Sequence, residues 1–186
     1  MKFKYAILDA VKTMASDAFI KRIKEEDDTM IKHLTIIKEI NKHGYITNDI
    51  QTGNKNIKET YEIKQRAYIS GFMLEPVAQH FIKNMGLYTD KGAIYIPICD
   101  DTIPSNLDIP LTITKINGQI QTDTHMSSAL PFSVWESYRK QLHINKNEKI
   151  VFIFCWDLKW SRNASGPSGL FTDVLKILKS IQNNEK

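Results

Sequence analysis

The sequence predicts a single α+β domain, in which helices pack on a mixed β-sheet and an N-terminal helical pair precedes it. Three observations carry this. Apolar residues recur at helical spacing through the first 43 residues, and from residue 44 onward strand-like runs alternate with further helices. No repeat, linker or low-complexity segment divides the 186 residues, a length that suits one domain. The helical pair covers about residues 4–43 and the sheet-containing body about 44–182.

Leu8, Val11, Ala15, Phe19 and Ile23 share one helical face, so one amphipathic helix is expected up to the acidic run Glu25-Glu26-Asp27-Asp28. A second helix, from about Thr29 to His43, turns Ile31, Leu34, Ile37 and Ile40 inward, and Gly44 supplies its left-handed end. GYITNDIQTG changes period and reads as a short strand, and the hydrophilic Asn54–Glu59 reads as a mobile loop. Tyr61–Leu74 is rich in aromatic and β-branched residues and reads as a strand, with a helix as the alternative. Pro76 suits the first turn of a helix that stops at Gly86.

Strands follow at about Ala93–Cys99 and Ile109–Ile116, and Asn117-Gly118 requires a type I′ hairpin because both positions need positive φ. Ser133 and Glu136 form a capping box opening a helix to about His143. Lys149–Trp156 is a near-continuous apolar run, which places it centrally with both faces covered. The last helix begins near Ser168 and buries Phe171, Val174, Leu178 and Ile181.

Only four arginines (Arg22, Arg66, Arg139 and Arg162) stand among 25 basic side chains, against 21 acidic ones, and the net charge of +4 is spread along the chain. A nucleic-acid module concentrates its basic residues on one stripe, so nucleic acid is not indicated. Cys99 and Cys155 lie in the apolar runs IPICD and VFIFCWD and are expected to be buried, reduced thiols; neither belongs to a CxxC. No motif calls for a metal or cofactor. Lys4, Asp9 and Lys12 interrupt the N-terminal stretch where a signal peptide needs continuous hydrophobicity, and no window of about 18 apolar residues exists. A soluble, cytoplasmic protein without membrane contact is the expectation.

The segment joining the apolar strand to the last helix, LKWSRNASGPSG, gives the first candidate site. Ligands gather at strand C-termini, and helix N-termini present free N–H donors. Arg162, Ser165 and Ser168 would hold an anion there, with Asp157 at the strand end and Trp160 in the loop. The competing reading is a capped helix with Asp157 bonded to loop backbone.

A second candidate is the polar set Asn41, His43, Thr47, Asn48, Asp49 and Gln51 flanking the first strand. Thr47, Asp49 and Gln51 have period 2 and would share one face, with Ile46 and Ile50 turned into the core. Arg66 on the following segment would take Asp49 or a bound anion as a bidentate partner. INKHGYITNDIQTG followed by QRAYISGFM resembles an uncharacterised family of small domains from actinobacteria and large DNA viruses, over roughly residues 37–73. Where that family has Ser-Gln-Pro-Gly, this chain has Ile50-Gln51-Thr52-Gly53. The resemblance implies a shared domain type and brings no activity with it.

His33-Leu-Thr35 and His125-Met-Ser127 match the H-x-[ST] pattern of two-histidine phosphoesterases, but His33 falls in a helix-period segment, so a catalytic pair is not expected. Asp100-Asp101 with Asp157 would be a weak Mg²⁺ set without paired spacing, and reads more simply as loop acids. The expected function is therefore a binding or accessory protein for a protein partner or an anionic small molecule. The alternative is a small hydrolase or transferase acting on a phosphorylated or nucleotide substrate, with Arg162 and Arg66 as charge clamps and Asp49 or Asp157 as base.

Overall fold

The computed structural model describes residues 3–26, 28–58, 61–97, 109–124, 136, 139–140, 144–145 and 147–184. Helices α1 (Phe3–Met14) and α2 (Asp17–Glu26) come first, then a 3-10 turn (Asp28–His33) and α3 (Leu34–Lys42). The single first helix read from sequence is thus two. Ser16 causes the break: its hydroxyl accepts from the Phe19 N–H at 3.3 Å and donates to the Thr13 carbonyl at 2.8 Å, capping α2 as it closes α1. The inward stripe of α1 is also corrected, because Phe3 and Ala6 are buried whereas Leu8 is 54% exposed.

Strands β1 (Ile46–Thr52), β2 (Lys55–Lys58) and β3 (Tyr61–Leu74) lead into α4 (Glu75–Met85), with Pro76 in its first turn. Then come β4 (Lys91–Pro97), β5 (Pro110–Ile116), β6 (Gln119–Thr124), β7 (Ile150–Trp160) and α5 (Leu170–Asn184). The α+β class holds, but every pairing is antiparallel where a mixed sheet was expected. β3 and β4 do run parallel, joined by α4 as a crossover, and β7 inserts between them antiparallel to both.

The long β3 organises the sheet. Along one edge β1 and β2 follow each other in continuous register, Thr52 opposite Ala67 and Lys55 opposite Lys64. Lys55–Lys58, expected as loop, is therefore strand, because pairing with β3 overrides its hydrophilic composition. Gly53 marks the joint at φ +78°, and a Cβ there would lie 2.3 Å from the Arg162 carbonyl oxygen. Along the other edge β5 pairs with Tyr61–Gln65 and β7 with Arg66–Leu74, so β3 changes partner between Gln65 and Arg66.

Alternate β3 residues serve two cores. Ala67, Ile69 and Met73 join Val151, Ile153 and Cys155 beneath α3, α4 and α5, burying Phe171, Val174, Leu178 and Ile181 as expected. Tyr68 and Phe72 join Phe152, Phe154, Leu111 and the α1 residues Phe3 and Ala6 on the opposite face. Two covered faces explain the uninterrupted apolar run of β7, which sits between β3 and β4. The β5–β6 turn has Asn117 at φ 48° and Gly118 at φ 83°, the predicted hairpin. Cys99, Asp100-Asp101, His125 and the Ser133 capping box lie outside the described residues. Among the described residues no helix is long and apolar enough to cross a membrane.

Candidate functional site

A cleft of about 950 Å³ opens between α1–α2 and the outer edge of β1. All seven β1 residues line it, and Ala6, Ala10 and Thr13 of α1 face them. Small side chains on the helix leave the space; Phe19, Ile23, Met30, Leu34 and Ile37 make its apolar wall. Its charged lining is Asp9 and Asp49 against Arg22, which also lies over the Phe19 ring.

A β-bulge between Thr47 and Asp49 overturns the expected single polar face of β1. The extra residue reverses the alternation, so Ile46 packs in the core under α1 while Ile50 packs on the opposite side. Thr47 accordingly turns toward α3 and accepts from Asn41 Nδ2 at 2.9 Å. Asp49 instead meets Tyr68, whose hydroxyl donates to Oδ2 at 2.8 Å, and the carboxylate together with burial pushes the Tyr68 pKa up. Gln51 Nε2 donates to the Arg66 carbonyl at 2.7 Å.

The β1 edge is already sealed at several points. Asn41 Oδ1 accepts from Thr47 N–H at 3.0 Å, Asp49 Oδ1 from Ile50 N–H at 2.9 Å, and the Thr52 carbonyl accepts from Ala164 N–H at 3.3 Å. Such devices block pairing with another strand, so the cleft offers side-chain chemistry rather than a strand template.

Asp157 and Trp160 belong to β7 itself, which runs four residues further than its apolar run suggests. The proposed anion loop is neutralised from within. Arg162 donates to Asp90 Oδ2 and, at 2.8 Å, to the Ser168 carbonyl, and its Nε lies 3.4 Å from Asp157 Oδ2. Lys91, with a fully buried side chain, lies 3.1 Å from Asp90, 3.6 Å from Asp157 and 3.5 Å from Asp173, and donates to the Ser168 carbonyl at 3.0 Å. Asp173 pairs also with the surface Lys176 at 3.6 Å. Three carboxylates thus answer three cations. The Arg162 hydrogen bond holds the Asp90 carboxyl at about 2, whereas burial raises that of Asp157. At α5, the Phe171 N–H already donates to the Ala164 carbonyl at 2.8 Å and Asp173 sits in the first turn.

Ser165 lies elsewhere than the anion reading put it. Its hydroxyl is 2.6 Å from Nδ1 of His33, a buried imidazole set edge-on to Phe171. Ser168 is exposed, outside the helix at φ 57°. Arg66 does not pair with Asp49: its guanidinium stacks over the Trp160 ring at 4.3 Å, and Nη1 donates to the Pro110 carbonyl at 3.2 Å. Burial lowers the Arg66 pKa, with Asp157 acting in the other direction. The two polar segments meet only through backbone, at Gly53 and Thr52 against Arg162 and Ala164.

Lys91, Asp90 and Tyr68 are absent from the residues read out of the sequence, whereas Asn41 belongs to the polar set flanking the first strand. The first two sit in an ordinary turn-and-strand start, TDKGA, with no local signal; their partners are distant in sequence. Among the described residues no group of three or more His, Cys, Asp or Glu is placed to hold a metal ion. No protein-family model matches the chain, and no curated protein matches it in sequence.

Proposed function

We propose that this chain is a binding module whose ligand or protein partner inserts a compact, largely apolar group into the cleft between α1–α2 and β1. The observation that supports this is the cleft itself: an apolar wall, a rim of Thr47, Asn48, Asp49 and Gln51, and a floor whose backbone is sealed against strand addition. A few oriented polar groups around an apolar recess is the usual composition of a ligand site. The hydrolase or transferase reading draws less support, since of its clamps and bases Arg162 and Asp157 are held by Lys91, Asp90 and each other, Arg66 stacks on Trp160, and Asp49 accepts from Tyr68.

The test is a metabolite and fragment screen by thermal shift and amide NMR, repeated on Thr13→Trp, which fills the cleft from its exposed rim. Hits that shift β1 resonances in the wild type and are lost in the variant support the reading. Hits that bind Thr13→Trp equally well, or turnover of a phosphoester abolished by Asp157→Asn, overturn it.

A further inference from the structure

Several polar side chains that line the cleft spend their donors on the framework. Gln51 Nε2 faces two carbonyls, that of Arg66 at 2.7 Å and that of Leu111 at 3.5 Å, so the amide nitrogen is committed and the oxygen is the end left over. Asn54 Nδ2 donates to Thr29 Oγ1 at 3.4 Å, which again leaves an amide oxygen. The Ser16 hydroxyl donates to the Thr13 carbonyl at 2.8 Å. What these side chains keep for a ligand is acceptors.

Two further acceptors carry full charge. Asp9 stands on α1 and Asp49 on β1, the two walls of the cleft, and both reach solvent. Asp49 is fixed by neutral donors alone, the Tyr68 hydroxyl at 2.8 Å on Oδ2 and the Ile50 N–H at 2.9 Å on Oδ1. Neither carboxylate has a cation within ion-pair distance among the described residues. Arg22, the cation of the lining, belongs to α2 and lies over the Phe19 ring, 5.3 Å from its centroid. The chain as a whole carries +4, yet the lining sets two carboxylates against one guanidinium, so its acidity does not follow from composition.

Beside these acceptors runs the apolar wall of Phe19, Ile23, Leu34 and Ile37, which an aliphatic chain would cover. A carboxylate or phosphate end would meet two like charges, whereas an ammonium supplies three donors and the missing positive charge. We propose, resting on the cleft reading, that the cleft takes an alkylammonium, with Asp49 as its fixed counter-ion, Asp9 as the second, and the aliphatic chain against the apolar wall. A free aliphatic amine and a lysine side chain of a partner protein carry the same chemistry.

The experiment titrates hexylammonium, hexanol and hexanoate against the full chain, with the amide NMR signals of α1 and β1 as the readout. Saturable shifts around Asp9 and Asp49 are expected with hexylammonium, and hexanol and hexanoate should each bind about tenfold more weakly or worse, the difference a charge-assisted bond makes. Asp49→Asn, which keeps an acceptor for the Ile50 N–H, should bring hexylammonium down to the affinity of hexanol. Asp9→Asn, a change on exposed helix surface, should weaken hexylammonium about threefold. A second arm replaces hexylammonium with Nα-acetyl-lysine methylamide, and the tighter of the two identifies the source, free amine or protein lysine. Hexanol bound as tightly as hexylammonium overturns the ammonium inference and leaves the cleft reading intact. A preference for hexanoate, no saturable shift with any probe, or unchanged affinity in both Asp49→Asn and Asp9→Asn also overturns it. Hexylammonium bound equally well by Thr13→Trp overturns both readings, because it locates the ammonium outside the cleft.

Discussion

Lys91 Nζ lies 3.6 Å from Asp157 Oδ2 with both side chains fully out of solvent, and the same ammonium reaches Asp173 at 3.5 Å. Burying charges this deeply is tolerable only while they stay matched. Lys91→Met should therefore destabilise the domain by ~3–5 kcal/mol, because it removes one cation from two buried carboxylates. Urea unfolding followed by circular dichroism measures this; a loss under ~1 kcal/mol would mean the cluster is not the organiser of the β4–β7–α5 corner.

The Asp90–Arg162 contact gives a pH signature of defined sign. Arg162 holds the folded Asp90 carboxyl at about 2, below its ordinary 3.8. A depressed acid adds stability that is present above the unfolded value and is lost as pH falls through the folded one. The stability difference between wild type and Asp90→Asn should thus be full at neutral pH, shrink as pH falls past 3.8 and vanish only below the folded value of about 2. A difference that is flat from pH 7 to pH 2 contradicts this assignment.

Asn41 joins α3 to the bulged strand. Its amide donates to the Ile37 carbonyl and to Thr47 Oγ1, and its carbonyl accepts from Thr47 N–H, all within a buried side chain. Asn41→Ala strands the Thr47 amide and should cost ~2–3 kcal/mol. It also uncaps the β1 edge, so the variant should show more concentration-dependent association than Tyr45→Phe. That second substitution removes only the hydroxyl donating to the Ile69 and Ile153 carbonyls. Equal association of the two by light scattering would deny the capping role.

Elements specified by contiguous residues were legible in the sequence. The Asn117-Gly118 hairpin, the apolar β7 run and the α5 stripe of Phe171, Val174, Leu178 and Ile181 each depend on local turn chemistry or local periodicity. β2 was not, because its hydrophilic residues become strand only by continuing β1 along β3. The Asn48 bulge hid in the same way: the text of β1 alternates faithfully, and only the register against Gly71 and Ser70 shows the extra residue. For the site, sequence found Arg66, Asp157, Trp160 and Arg162 but mispaired them. Asp90 and Lys91 lie far earlier in the chain than Arg162 and Asp157, the residues they pair with (72 positions for Asp90 and Arg162), and nothing in TDKGA announces them.

The Cys155 thiol should be chemically quiet. It is fully buried in β7, and burial pushes its pKa far up, so the reactive thiolate is suppressed. Labelling by an aromatic disulfide reagent should follow the rate of global unfolding, accelerating with urea. Fast labelling of the native protein at Cys155 would show that the β3–β7–β4 centre opens locally.

The Ser165–His33 contact allows the sharpest separation of binding from catalysis. A hydroxyl 2.6 Å from an imidazole nitrogen is the geometry a nucleophile and its base share. Here, however, the Ser165 N–H donates to Asn163 Oδ1 at 3.1 Å and the Gly166 N–H to the Asn163 carbonyl at 3.1 Å, so the adjacent amides are not free to receive an oxyanion. His33 is buried against Phe171 and joins the 3-10 turn to the α5 approach. The contact is therefore a tether. A fluorophosphonate probe should leave Ser165 unlabelled, while Ser165→Ala should cost ~1–2 kcal/mol by removing the hydroxyl from a buried ring nitrogen. Stoichiometric labelling of Ser165, abolished by His33→Gln in a folded variant, would instead make the pair a nucleophile and base and put the hydrolase reading ahead of the binding one.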